Sequence, residues 1–302
     1  MLDLDYLQKY NLSSYSWGQH CIGATFLMPN YNLFRKVRII VEGKENLPLN
    51  NNAIYAMNHT DRFNYWPFQY YLWRNGYVET TVWVKGKYYR NFFLAKMLSL
   101  ANCIPVPSLG YYIEEFYRMR NKSRITRDDY RTVRDVIDGK NFKDSGLVRE
   151  MLGSGGVSFI RAYYERALAE VARLTSSALF AKHLSLIIFP EGTRSLEFQK
   201  GLTGIGQVAL HSRKPLIPVA CNNSEEIYPN SSPIARSGTI IYRVGKPLTV
   251  RDELKPYRID KSFDLLSSLS RSMYEDRFRA VTNIVMERIG EMLDDKYRRA
   301  PE

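Results

Sequence analysis

The segment that most restricts the fold of this 302-residue chain is an apolar run that passes without a spacer into charge. Leu184-Ser185-Leu186-Ile187-Ile188 carries no charged residue. It has the length and composition of a strand buried on both faces, as in a parallel sheet. It runs directly into Phe189-Pro190-Glu191-Gly192-Thr193-Arg194-Ser195. Proline and glycine end the strand. A carboxylate, a flexible backbone and an arginine are left at its C-terminal edge, where open α/β sheets bind ligands. A second run, Ala53-Ile54-Tyr55-Ala56-Met57, ends the same way, in Asn58-His59-Thr60-Asp61-Arg62-Phe63-Asn64.

Strand and helix patterns alternate around these two runs. Val37 to Glu42, Thr80 to Val84, Cys103 to Val106, Val157 to Arg161, Leu216 to Ala220 and Thr239 to Val244 read as further strands. Trp66 to Gly76, Phe92 to Leu100, Ala162 to Leu174 and a segment near Gly204 to Leu210 read as helices. The alternation predicts an α/β fold: a mixed, mainly parallel sheet with helices on both faces. Residues 1–36 form an N-terminal segment of amphipathic potential, and 37–258 an α/β domain. Residues 108–155, charged and punctuated by Asp138-Gly139 and Gly153-Ser154-Gly155-Gly156, interrupt the rhythm and read as an inserted helical subdomain. Residues 259–302 form a C-terminal helical segment. There Leu265, Leu266, Leu269, Met273, Val281, Ile284, Val285, Ile289 and Met292 are expected on one stripe.

Composition narrows the partners. With 45% hydrophobic residues the chain can bury a large core. Cys21, Cys103 and Cys221 are too few and too scattered for a disulfide framework or a zinc site, which suits a reducing compartment. The acidic start, Met1-Leu2-Asp3-Leu4-Asp5, lacks the basic region of a signal peptide. No uninterrupted apolar stretch reaches the roughly 18 residues of a spanning helix. The nearest, Phe92 to Val106, is broken by Lys96 and Asn102 and fits a core helix plus strand, or a segment lying in a membrane interface. The net charge of +12 suits nucleic acid, anionic lipid or a phosphorylated substrate. Basic residues gather from Arg118 to Arg134 and at Arg298-Arg299. No nucleic-acid-binding module is recognisable, so no nucleic-acid partner is expected.

Taken together, the two motifs resemble the glycerolphosphate and 1-acylglycerol-3-phosphate acyltransferase family, whose signatures are Asn-His-x4-Asp and Phe-Pro-Glu-Gly-Thr-Arg-Ser. The second signature matches in full. In the first, Asn64 stands where the family has its aspartate. The resemblance covers roughly residues 37–250. It implies an enzyme of phospholipid synthesis, peripheral on the cytoplasmic side of a membrane. Such an enzyme moves a fatty acyl chain from acyl-CoA or acyl carrier protein to a hydroxyl of a glycerolphosphate-type or lysophospholipid acceptor, with no metal and no cofactor.

By the same resemblance His59 is the general base, a role that suits a side chain titrating near neutrality. The family aspartate accepts from the other ring nitrogen. Three explanations of Asn64 are open. Its carbonyl can orient the ring as an uncharged substitute, as asparagine does in papain-like proteases. Asp61 can replace the missing carboxylate. Or the chain is an inactive variant, a lipid-binding or scaffolding member of the fold. If Asn64 occupies the family position, Asn64→Asp should raise the rate.

Substrate-binding candidates follow from the other family blocks. Gly156-Val157-Ser158-Phe159-Ile160-Arg161 matches a segment closing in an arginine that binds the acceptor phosphate, and Arg161 lies 28 residues before Phe189. The competing alignment puts that strand at Cys103-Ile104-Pro105-Val106. Arg161 and Arg194 suit phosphate because guanidinium binds it bidentately. Glu191, with Gly192 and Thr193, is expected to meet an acceptor hydroxyl or to hold an arginine by a salt bridge. Lys87 either meets phosphate or is solvated. Pro218, in the apolar block from Lys214 to Ala220, is expected behind the site. The basic stretch from Arg118 reads as a solvated helix face or as a contact for an anionic membrane surface or an acidic carrier.

Overall fold

The computed structural model describes residues 2–140, 145–153 and 155–298. Ser154 of the expected glycine-rich turn and Arg299 of the C-terminal basic pair lie outside the described residues. Seven strands, β1 (Val37–Glu42), β2 (Ile54–Met57), β3 (Thr80–Lys85), β4 (Cys103–Val106), β5 (Ser185–Ile188), β6 (Leu216–Asn222) and β7 (Gly238–Val244), form one sheet in the order β1-β7-β6-β2-β5-β3-β4. β1 is parallel to β7, β2 to both β5 and β6, and β3 to β5; β6 and β7 are antiparallel. This is the mixed, mainly parallel sheet that the apolar runs predict. The helices are α1 (Leu4–Lys9), α2 (Trp17–Ile22), α3 (Trp66–Arg74), α4 (Phe92–Leu100), α5 (Leu109–Asn121), α6 (Arg127–Ile137), α7 (Ser145–Leu152), α8 (Gly156–Ser176), α9 (Gly204–Ser212), α10 (Ser224–Ile227) and α11 (Ser268–Met292). None of them is long and apolar enough to cross a membrane.

The chain forms two compact units. The sheet unit comprises residues 12–83, 97–104 and 174–302 and holds the sheet apart from the last residues of β3 and β4. Side chains alternate between faces along a strand. Tyr55 of β2 meets Phe68 of α3 edge-on, with ring centroids 5.3 Å apart. Its neighbour Ala56 therefore points to the opposite face, and so does Pro218, the register partner of Ala56. On that face a Cβ added to Gly245 would lie 2.8 Å from Pro218 and 3.2 Å from Met292 of α11. The sheet is thus covered by α3 on one side and α11 on the other. α9 packs so closely on α11 that a Cβ at Gly206 would sit 2.3 Å from the carbonyl oxygen of Phe278.

The helical unit comprises residues 1–11, 84–96 and 105–173. Ile113, Val133, Val136, Ile137, Val148 and Ile160 form its own buried core. Here one sequence expectation is overturned. Val157 to Arg161 is not a strand; it is the first turn and a half of α8. Ile160, Ala167, Leu168, Val171 and Leu174 are all buried and recur at helical spacing, so the helical period wins over the short strand-like run. The C-terminal stripe is also broken. α11 leaves helical geometry at Tyr274 (φ −130°, ψ 20°), and Leu269 and Met273, before that kink, are exposed, whereas Val281, Val285 and Ile289 after it are buried. Cys103 and Cys221 are buried and Cys21 is exposed, all as free thiols.

Candidate active site

β2 and β5 are adjacent parallel strands, with Ala56 opposite Ile188. His59 and Glu191 each lie three residues beyond that pair, so the two motifs leave the same edge of the sheet side by side. The contact between them is direct. The backbone N–H of His59 donates to Glu191 Oε1 at 2.8 Å, and the N–H of Ser195 donates to the carbonyl of His59 at 3.0 Å. The second oxygen of Glu191 accepts from the N–H of Gln199 at 2.9 Å. Glu191 is buried. Burial pushes its carboxyl above the ordinary glutamate range, and the N–H donors of Gln199 and His59 pull it back. Among the described residues no salt bridge joins Glu191 to an arginine, and its visible partners are main-chain groups. Each of its oxygens takes a backbone N–H, and it ties the histidine loop to the loop after β5.

The turn that carries Glu191 needs its glycine. The N–H of Gly192 closes a turn onto the carbonyl of Phe189 at 3.0 Å, and Gly192 has φ +67°. A Cβ there would also lie 2.6 Å from Leu202. Thr193 and Arg194, the next two residues, are exposed.

The histidine loop is held from β6. The side-chain amide of Asn58 accepts from the N–H of Cys221 at 2.7 Å and donates to its carbonyl at 3.0 Å, which extends the β2–β6 ladder past the end of β2. His59 stacks on Phe189, with centroids 4.0 Å apart and an interplanar angle of 20°. Its Nδ1 lies 3.2 Å from Asn64 Oδ1.

Asn64 decides which ring nitrogen carries the proton. It is fully buried, and its Nδ2 donates to the carbonyl of Asn58 at 2.7 Å. That bond assigns the amide orientation, because a carbonyl can only accept. Oδ1 therefore faces His59 and can only accept, so the neutral ring carries its proton on Nδ1 and its lone pair on Nε2. Tyr242 of β7 supports the same residue from behind, its hydroxyl donating to the carbonyl of Asn64 at 2.6 Å.

Asp61 does something else. Its carboxylate accepts from the N–H of Phe63 at 2.7 Å and from the hydroxyl of Thr60 at 3.2 Å. Burial raises it to about 6 despite these donors. Of the two candidate partners for the imidazole, the geometry selects Asn64, and Asp61 braces the turn.

An aspartate at position 64 would accept the Nδ1 proton and add a charge to stabilise the imidazolium. It would also remove the amide donor that meets the carbonyl of Asn58, leaving a buried acceptor unpaired. Asn64→Asp is thus expected to raise the rate of any reaction using His59 as base while lowering folding stability by about 1–3 kcal/mol. Turnover and chemical denaturation of the one variant check both signs; a stability equal to that of the parent chain would contradict the assigned amide orientation.

Three expected residues stand elsewhere. Pro218 is buried in the middle of β6 against Gly245 and Met292, three rungs below Cys221, so its part is packing. Arg161 sits on α8 in the helical unit, where its guanidinium donates to the carbonyl of Ile137. The competing segment, Cys103 to Val106, is the one that forms a strand, β4. Lys87 is exposed in the helical unit, 5.6 Å from the Tyr88 ring centroid. Sequence reasoning missed the roles of Asn58, Phe189, Gln199 and Tyr242. The first two lie inside the motifs themselves, whereas no local pattern marks Gln199 or Tyr242. Among the described residues no group of three or more His, Cys, Asp or Glu side chains is placed to hold a metal ion.

Comparison with known proteins agrees with these motifs. A family model described as Acyltransferase matches residues 38–128 and 125–222. A 1-acyl-sn-glycerol-3-phosphate acyltransferase of Cocos nucifera is 32% identical over 108 residues, which are 34% of this chain and 32% of that protein. The match thus spans about a third of the curated relative's length. Among solved structures, the 1-acyl-sn-glycerophosphate (LPA) acyltransferase PlsC from Thermotoga maritima aligns over 93% of this chain and 79% of its own, at 15% identity and a TM-score of 0.41.

Proposed function

Because this chain belongs to the acyltransferase family, we propose that it moves a fatty acyl chain from a thioester donor, acyl-CoA or acyl carrier protein, to a hydroxyl of a glycerolphosphate-type or lysophospholipid acceptor. It works as a peripheral protein on the cytoplasmic side of a membrane, in phospholipid synthesis. The observation that carries this reading is the imidazole of His59 held by Asn64 Oδ1, which puts the ring's lone pair on Nε2. The name of the coconut relative supports the choice of acceptor.

In the proposed reaction Nε2 of His59 takes the proton of the acceptor hydroxyl as its oxygen attacks the thioester carbonyl. The carbon–sulfur bond then breaks, and the imidazolium returns the proton to the departing thiolate. No acyl-enzyme forms. Asn64 keeps the ring in the reactive tautomer but offers only a dipole to the imidazolium. Arg194, by family resemblance, supplies a cation for the acceptor phosphate. Glu191 fixes the loop that carries the base.

The test is a mass-spectrometric screen pairing acyl-CoA and acyl carrier protein with a panel of hydroxyl acceptors. The expected product is an acylated glycerolphosphate-type or lysophospholipid acceptor together with the free thiol. Binding of acceptor and donor without product would instead favour a non-catalytic lipid-binding protein, a reading that the uncharged Asn64 keeps in view.

A further inference from the structure

Helix α4 is apolar on both sides. Ala95 and Leu98 are buried, while Phe92, Phe93, Met97 and Leu100 are 73%, 81%, 40% and 59% exposed. Positions 92, 93, 96, 97 and 100 fall on one stripe of a helix. A surface helix normally turns polar residues outward at such positions, yet here the stripe is interrupted only by Lys96. Single exposed apolar side chains need no explanation, but four on one short stripe mark a contact surface.

Charge indicates what the surface meets. Between Glu79 and Glu114 the chain has no carboxylate side chain, and in the same stretch it has Lys85, Lys87, Arg90 and Lys96. Lys87 and Lys96 are exposed and make no ion pair among the described residues. Arg90, by contrast, is paired with Glu114 and Glu115 of α5. An apolar stripe accompanied by unopposed lysines is complementary to a bilayer with anionic headgroups. It suits a protein partner less well, since nothing in this stretch would pair with the cations of a mixed protein surface. The helix is too short to span a bilayer and suited to lying in its interface.

We propose that the exposed stripe of α4 enters the interface of an anionic bilayer, with Phe92, Phe93, Met97 and Leu100 reaching the acyl boundary and Lys87 and Lys96 meeting lipid phosphates. The inference deepens the peripheral membrane association proposed above and rests on that reading for its purpose, but not on the chemistry of His59.

The experiment uses the full chain and vesicles of phosphatidylcholine with and without phosphatidylglycerol. Co-sedimentation should be strong only with phosphatidylglycerol present. F92A/F93A should weaken it about tenfold or more, and K96Q about fivefold, with thermal unfolding unchanged because these side chains are exposed. F93W should add an emission component that shifts to the blue only with anionic vesicles. Equal sedimentation of F92A/F93A and the parent chain, binding that ignores phosphatidylglycerol, or an added F93W emission that stays solvent-like on vesicles would each overturn the proposal. Transfer to a water-soluble short-chain acceptor, measured in parallel, separates the two readings. Vesicle binding through α4 without transfer leaves the docking surface and removes the enzyme, and transfer without α4-dependent binding does the reverse.

Discussion

His59→Ala is expected to lower acyl transfer by about 10²–10⁴-fold, the usual contribution of a positioned general base, while the chain folds as before. The loss should fall on kcat, with the KM for the thioester donor near that of the parent chain, because the imidazole acts on the acceptor hydroxyl as the bond forms. Folding should survive because the links that organise the loop use the main chain of His59. Its N–H donates to Glu191 and its carbonyl accepts from Ser195. The ring contributes the stacking contact with Phe189 and the bond to Asn64, and losing these leaves the ladder at Asn58 intact. Labelled acyl transfer, measured with and without His59, checks the prediction. Unchanged turnover in the variant would remove His59 from the mechanism.

The second large effect is on stability. Glu191→Ala is expected to destabilise the protein by about 2–6 kcal/mol, because two donors in part-buried hydrogen bonds, the N–H groups of His59 and Gln199, lose their acceptor at once and each such loss costs about 1–3 kcal/mol. Activity should fall with it, since the loop bearing the base is no longer tied to the loop after β5. Glu191→Gln should lie between, because one amide oxygen replaces two carboxylate oxygens. Denaturant unfolding of both variants separates the roles this carboxylate has been given. A Glu191→Ala protein as stable as the parent and devoid of activity would show that Glu191 works on the acceptor and not on the backbone.

The difference between reading the sequence and seeing the fold is clearest at Glu191 and Arg161. The strands that deliver both motifs were legible because each is a short apolar run ended by proline, glycine or asparagine, and that pattern depends only on local chemistry. The pairing of Asn64 with His59 came from the family resemblance, as one of three open explanations, and the contact within the loop selects it over Asp61. The role of Glu191 was not, because its partner is a backbone N–H 132 residues away and such a bond leaves no mark on composition or periodicity. Arg161 closes a five-residue run that looks like a strand in isolation. The longer repeat of buried residues at helical spacing, from Ile160 through Leu174, shows that it belongs to α8. Leu269 and Met273 fitted a helical stripe that α11 abandons at Tyr274, and neither proline nor glycine flanks that position to announce the kink in the sequence.

The proposed reaction depends on which nitrogen of the His59 ring holds the proton. ¹⁵N NMR of the histidine-labelled protein at a pH where the ring is neutral, with the His59 signals assigned by their loss in His59→Gln, reads this directly. The expected result is a protonated Nδ1 and an unprotonated Nε2, with that preference weakened in Asn64→Leu. A ring protonated on Nε2 in the parent chain would contradict the orientation of Asn64 and leave the site without its base.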